Sequence, residues 1–297
     1  MNIQSLSIVV PTHGCMNQCK FCVSRMHKEE YENLISTDDY FHMESYKNRM
    51  AFARDNGCNT VMLTGQGEPQ QNLEFITKFA KMNSELVMPF RNIEIQTTGA
   101  KIDMYTLNCL RNDGVTTISL SVSCLNNDEI NSDIINGGHT SIYLKTLCHD
   151  IKELGFNLRL SLNVTKWIFT YANKEDSTPR HDQIFEYCSK VLGADQITFR
   201  KMYVSGEETP QGKWVSENSL DNVDYWFKTL GVFVRENGRY LDTLEYGSKR
   251  YSVMGMSTVI DEDCMAKSEE KQAFKYLILR PNCKLYTQWD DKGSLLF

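Results

Sequence analysis

The sequence has no apolar run of 18 residues, so it offers no membrane-crossing helix. Residues 1–5 carry no basic, apolar leader, which leaves the reducing cytoplasm as the expected compartment. Proline is scarce, at 6 residues, and no low-complexity tract occurs, so disorder is not indicated. Cationic excess is also missing: 32 Lys and Arg stand against 38 Asp and Glu, a net charge of −6. That argues against a nucleic-acid backbone as the main partner, which draws a basic face. Cysteine is plentiful, 10 residues in 297, yet outside one stretch no C-x2-C pair occurs. A second metal cluster is therefore not signalled. Cys58, Cys109, Cys124, Cys148, Cys188, Cys264 and Cys283 read mostly as small core residues.

The one stretch is residues 11–25, Pro-Thr-His-Gly-Cys-Met-Asn-Gln-Cys-Lys-Phe-Cys-Val-Ser-Arg. Cys15, Cys19 and Cys22 lie there at C-x3-C-x2-C spacing, just after an apolar strand-like run from Leu6 to Val10. Three thiols on one short loop can converge on a single centre. They suit an iron–sulfur cluster, whose irons are held by cysteine sulfur, and three ligands leave one corner of a four-iron cube open. A structural zinc site is the competing reading, with His13 or His27 as fourth ligand.

With Phe21 just before the third cysteine, the stretch resembles the signature of the radical S-adenosylmethionine (SAM) enzymes. The resemblance implies a [4Fe–4S] cluster on Cys15, Cys19 and Cys22, with SAM chelating the open iron. It implies reductive cleavage of SAM to a 5′-deoxyadenosyl radical, which abstracts hydrogen from a substrate. It also implies an electron donor such as flavodoxin or ferredoxin.

Apolar strands are expected at residues 7–10, 60–64, 93–97, 116–122, 158–164 and 196–200. Their isoleucine, valine and leucine content predicts burial on both faces. Helices are expected between them, at 39–56, 73–83, 103–112, 141–154 and 181–192, with Thr37 or Asp38 capping the first. Such alternation means parallel strands with right-handed crossovers. The fold class is α/β: a partial (β/α)6 TIM-like barrel, which the resemblance also implies, with a C-terminal α+β extension. Residues 1–203 form the expected core. Residues 204–297 form an extension of the same domain that packs on the barrel or closes it. Within it, 201–213 reads as loop, 218–230 as one more helix, and 276–279 with 285–289 as a hairpin.

Working residues are expected at the carboxyl ends of the strands. After the second strand, Thr64-Gly65-Gln66-Gly67-Glu68-Pro69 resembles the family's glycine-glycine-glutamate-proline motif, with Gln66 replacing a glycine. That implies Gly67 and Glu68 near the SAM amino group, and backbone around Phe21 against the adenine. Thr98 resembles a pocket-lining turn residue. Ser121 and Asn163, at the ends of the fourth and fifth strands, are candidates for binding SAM or substrate. Arg200, with Lys201 beside it, is a candidate anion site for a carboxylate or phosphate. Cys124 is a candidate hydrogen-atom donor. No peptide-binding domain precedes the triad, and the tail lacks a cysteine-rich pattern. This favours a small polar metabolite or nucleotide as substrate. The alternatives are a peptide- or protein-modifying or glycyl-radical-activating enzyme, and a zinc-stabilised interaction module without catalysis.

Overall fold

The structure, a computed structural model, describes residues 2–28, 42–171, 178–204, 209–262 and 273–297. Cys264, Thr37, Asp38 and the first residues of the helix expected at 39–56 lie outside the described residues.

Six strands of the core follow one another in order: β1 (Asn2–Val9), β2 (Thr60–Thr64), β3 (Asn92–Thr97), β4 (Thr117–Val122), β5 (Asn157–Val164) and β6 (Gln196–Lys201). Each pairs in parallel with the next. The connections carry helices α2 (Met43–Asp55), α3 (Leu73–Ser84), α4 (Met104–Asn112), α5 (Asp128–Asn136), α6 (Leu144–Glu153) and α7 (His181–Glu186), while α1 (Val23–Met26) is one turn after the cysteine loop. The later chain adds α8 (Pro210–Asn218), α9 (Val223–Asn237) and strands β7 (Gly238–Thr243), β8 (Lys249–Val253), β9 (Met256–Asp261), β10 (Ala273–Leu279) and β11 (Leu285–Tyr286).

The C-terminal strands attach to both edges of the core. β10 pairs in parallel with β1, and β9 in parallel with β6. The sheet order is β11-β10-β1-β2-β3-β4-β5-β6-β9-β8-β7, so eight consecutive strands are parallel and the flanking ones antiparallel. β10 and β11 form the expected hairpin, with Ile278 opposite Tyr286. Among the described residues no helix is long and apolar enough to cross a membrane.

Both faces of β1 and β4 are buried, as expected, but only one face of each is apolar. Leu6 and Ile8, Val61 and Leu63, Ile118 and Leu120, and Leu158 and Leu160 point outward into one core with helix residues such as Phe79, Leu110 and Ile151. The alternate residues face a lumen and, Met62 on β2 apart, are polar: Ser5 and Ser7 on β1, Thr60 and Thr64 on β2, Thr198 and Arg200 on β6. The period-2 alternation was present in the sequence. It marks a sheet whose concave face lines a cavity, here of about 400 Å³. Within that wall Arg159 pairs with the buried Glu94 and donates through Nε to Gln196 Oε1 at 2.8 Å.

Two helices were not expected. α5 begins at Asn127, whose side chain accepts from Ile130 N at 3.0 Å, and ends at Gly137 in the left-handed region, φ 67°. α8 replaces expected loop. Thr209 caps it, accepting from Gly212 N at 3.1 Å, and Pro210 opens it where no backbone donor is needed.

Candidate active site

The cysteine loop leaves the carboxyl end of β1 and is tied down from three sides. Gln18 N and Lys20 N donate to the carbonyls of Ile135 and Ile134 at the end of α5, at 3.2 and 3.0 Å. Met16 N donates to Gln71 Oε1 at 3.0 Å, and Asn72 Nδ2 to Pro11 O at 2.7 Å. Arg25 reaches back to Asn17 O at 2.9 Å. The G-x-G-E-P turn packs directly on this loop. A Cβ on Gly67 would sit 2.3 Å from Thr12 Oγ1 and 2.6 Å from Gly14 O. The glycine is therefore needed for the approach of the two loops to each other. Gly67→Ala is expected to push the cysteine loop aside at a cost of about 1–3 kcal/mol. The measurement is thermal midpoint together with iron retained after reconstitution, and both should fall.

Glu68 is the hub. Its carboxylate is buried and accepts from Asn17 Nδ2 at 2.8 Å, Thr97 Oγ1 at 2.5 Å, Gln70 Nε2 at 3.0 Å and Thr98 N at 3.1 and 3.3 Å. Asn17 Nδ2 also donates to Thr98 Oγ1 at 2.8 Å. Gln71 accepts from Glu68 N at 3.2 Å, closing a capping box over the short helical turn Pro69–Asn72. Asn17, Gln70, Gln71 and Thr97 were not singled out from sequence. The Glu68-x-x-Gln71 spacing was a signal for the box.

Cys15 is exposed, and Cys19 and Cys22 are half-buried. Burial pushes the Cys15 and Cys19 thiols up from their ordinary range, Cys19 strongly, and the neighbouring Cys22 and Glu68 charges push further. Three sulfurs beside a carboxylate form a site that gains by taking up a cation. Three cysteine thiols on one short loop are the donor set of an iron–sulfur cube with one open corner, and the residues present fit that group. Of the zinc candidates, His13 is exposed and His27 Nε2 lies 3.1 Å from the Tyr203 hydroxyl.

The remaining candidates fall in different places. Thr98 belongs to the Glu68 network. Asn163 Nδ2 donates to Ser121 Oγ at 3.0 Å and Ser123 Oγ at 3.2 Å, joining the ends of β4 and β5. Arg200 lines the lumen, and so do Val23 and Ser24 just after Cys22, so the cavity reaches the cysteine loop. Lys201 does not join Arg200. Strand alternation turns it away, and it pairs with Asp224 at 2.6 Å. Phe21 lies against Trp214 of α8, ring centroids 6.3 Å apart. Cys124 is fully buried, its Sγ 3.7 Å from Asn126 Oδ1, and burial pushes its thiol up to about 11. It is not among the residues lining the lumen.

Fold and loop together define a cofactor site at the mouth of a parallel partial barrel. The Radical SAM superfamily model matches residues 9–169, more than half of the chain and inclusive of all three cysteines, and the chain belongs to that superfamily. Its cofactors are accordingly a [4Fe–4S] cluster and SAM. Solved structures agree in fold. SuiB of Streptococcus suis bound to precursor peptide SuiA aligns with TM-score 0.56 and 15% identity over 96% of this chain and 59% of SuiB. The chain thus spans less than two thirds of SuiB. Native anSMEcpe with bound AdoMet aligns with TM-score 0.61 and 14% identity over 99% of this chain and 77% of that one. No curated protein matches in sequence.

Proposed function

We propose that this protein reductively cleaves SAM and abstracts hydrogen from a small polar metabolite or nucleotide held in the barrel lumen. When bound, the cluster supplies the electron for cleavage, and the resulting 5′-deoxyadenosyl radical supplies the hydrogen abstraction. Cys15, Cys19 and Cys22 hold the irons. Gly67, Glu68 and the adjoining backbone would hold the SAM amino group, and backbone around Phe21 would meet the adenine. Thr98, Ser121 and Asn163, at the strand ends, would contact SAM or substrate, and Arg200 offers a bidentate cation to an anionic group. The partner required is an electron donor such as flavodoxin or ferredoxin. Residues 204–297 are read as one domain with 1–203, because β9 and β10 extend both edges of the core sheet.

The observation that carries the substrate reading is the polar lumen. Ser7 Oγ and Ser161 Oγ are buried on its inner face without a hydrogen-bond partner among the described residues. Buried hydroxyls left unmade cost about 1–3 kcal/mol each, a cost that a polar ligand or water offsets. A second reading, a peptide substrate, is favoured by the structural likeness to SuiB bound to its precursor peptide and anSMEcpe bound to a peptide.

The test uses anaerobically reconstituted protein with dithionite and SAM. Expected are about four irons per chain and 5′-deoxyadenosine. Its formation should rise on adding the small-molecule fraction of a cell extract, and not with the peptide fraction. Stimulation by the peptide fraction alone would favour the second reading. Zinc in place of iron would sink both.

A further inference from the structure

Eight parallel strands run from β10 through β1 to β6 and on to β9. An eight-stranded parallel barrel would close by pairing β9 with β10, and among the described residues no such ladder is present. The two strands meet through side chains instead. Lys275 Nζ donates to Asp261 Oδ1 at 2.8 Å, the two side chains being 9% and 13% exposed. Followed from β10 through the seven intervening ladders, Lys275 falls about nine residues short of Asp261. A closed barrel of this kind has a stagger of about eight. The pair therefore lies within about one residue of where the missing ladder would place it. The seam is in barrel register, but an ion pair bridges it where backbone hydrogen bonds would.

The surroundings hold the pair in place. Ser5 Oγ donates to Lys275 O at 3.0 Å, and Tyr246 N donates to Gln4 Oε1 at 3.1 Å, fixing the β7–β8 turn against β1. Lys275 Nζ lies 5.3 Å from the Tyr276 ring and 6.0 Å from the Tyr246 ring. Burial alone would lower the Lys275 pKa, but Tyr276 and Asp261 outweigh it and leave it raised, so the ammonium persists. Asp261 also stands in register beside Arg200, and all three side chains line the lumen. A buried ion pair is weak evidence for stability, since apolar residues would seal a seam as well. An ion pair can part without orphaning a backbone ladder, and an anionic ligand can take the place of its carboxylate.

We propose that Asp261 and Lys275 are a positioning pair, a clasp that closes the lateral seam of the lumen and controls access to it. The proposal rests on the lumen being the ligand site. Its test needs no substrate, so failure here leaves the small-molecule reading standing. Full-length reconstituted protein would carry Ser7→Cys as a reporter. It would be labelled with a small maleimide, with peptide mass spectrometry resolving each thiol. Asp261→Asn is nearly isosteric. It is expected to raise labelling at position 7 about tenfold, while Cys58, buried in the outer core, stays within about twofold of the parent. The exchanged pair Asp261→Lys with Lys275→Asp should return position 7 to the parent rate. Unchanged labelling at position 7, or a parallel rise at Cys58, would overturn the clasp. Should Asp261→Asn fail to fold, Lys275→Met is read by the same two thiols and the same criteria.

Discussion

Cys19→Ala is expected to lower 5′-deoxyadenosine formation more than about a thousandfold, equivalent to about 4 kcal/mol of barrier, and to leave the reconstituted protein short of iron. Cys19 is the middle thiol of the loop and packs against the main core, so its sulfur has a fixed position. No neighbour can replace it. Asn17 and Glu68 are committed to each other and to Thr98, and Gln71 to Met16 and Glu68. Alanine is smaller and nearly as apolar, and the loop keeps its anchors to Ile134 and Ile135 of α5. The thermal midpoint of the iron-free protein should therefore barely move. Loss of iron and turnover with an intact fold identifies a ligand. A matching loss of stability in the iron-free protein would point to a packing role and count against the assignment.

The cysteine triad was legible because its spacing is local and its chemistry narrow. The six core strands were legible because each is a short apolar run ended by turn residues. What escaped the reading lay at long range or depended on which face a residue takes. β1 and β10 pair across some 270 residues, and no local pattern announces that β9 and β10 extend both edges of the sheet. The alternation Arg159, Ser161, Asn163 was visible, but alternation by itself does not say whether the polar face meets solvent or a lumen. Lys201 was grouped with Arg200 by adjacency, although adjacent strand residues point to opposite faces. α5 and α8 were readable and missed. Asn127 followed by two acidic residues, with Gly137 at the far end, is a start and stop pair, and so is Thr209-Pro210. The Glu68 network as a whole could not be read, since Asn17, Glu68 and the pair Thr97-Thr98 come from three separate segments.

That network carries the second large effect. Glu68→Gln is expected to destabilise the protein by about 3 kcal/mol and to cost it most of its reconstituted iron. A carboxylate accepts only, and here both oxygens face donors: Asn17 and Thr98 on one, Thr97, Gln70 and Thr98 on the other. An amide must turn an NH2 toward one of these groups. At least one buried donor then loses its acceptor, at about 1–3 kcal/mol, and the charge-assisted bonds weaken as well. Asn17 sits between Cys15 and Cys19, so freeing its amide loosens the ligand loop itself. The side chain is thus first a brace for the cysteine loop, and any approach to the SAM amino group starts from a carboxylate already held by four residues. Iron content and SAM affinity separate these roles. If Glu68→Gln keeps its iron and midpoint but binds SAM weakly, the carboxylate is chiefly a SAM ligand. If iron, midpoint and SAM binding fall together, as expected, the brace dominates. Thr97→Val then provides the check. It removes one donor from Oε2, the oxygen that Asn17 does not use, and the acceptor of Gly99 N, without touching the loop; it should cost about 1–3 kcal/mol while leaving the iron in place.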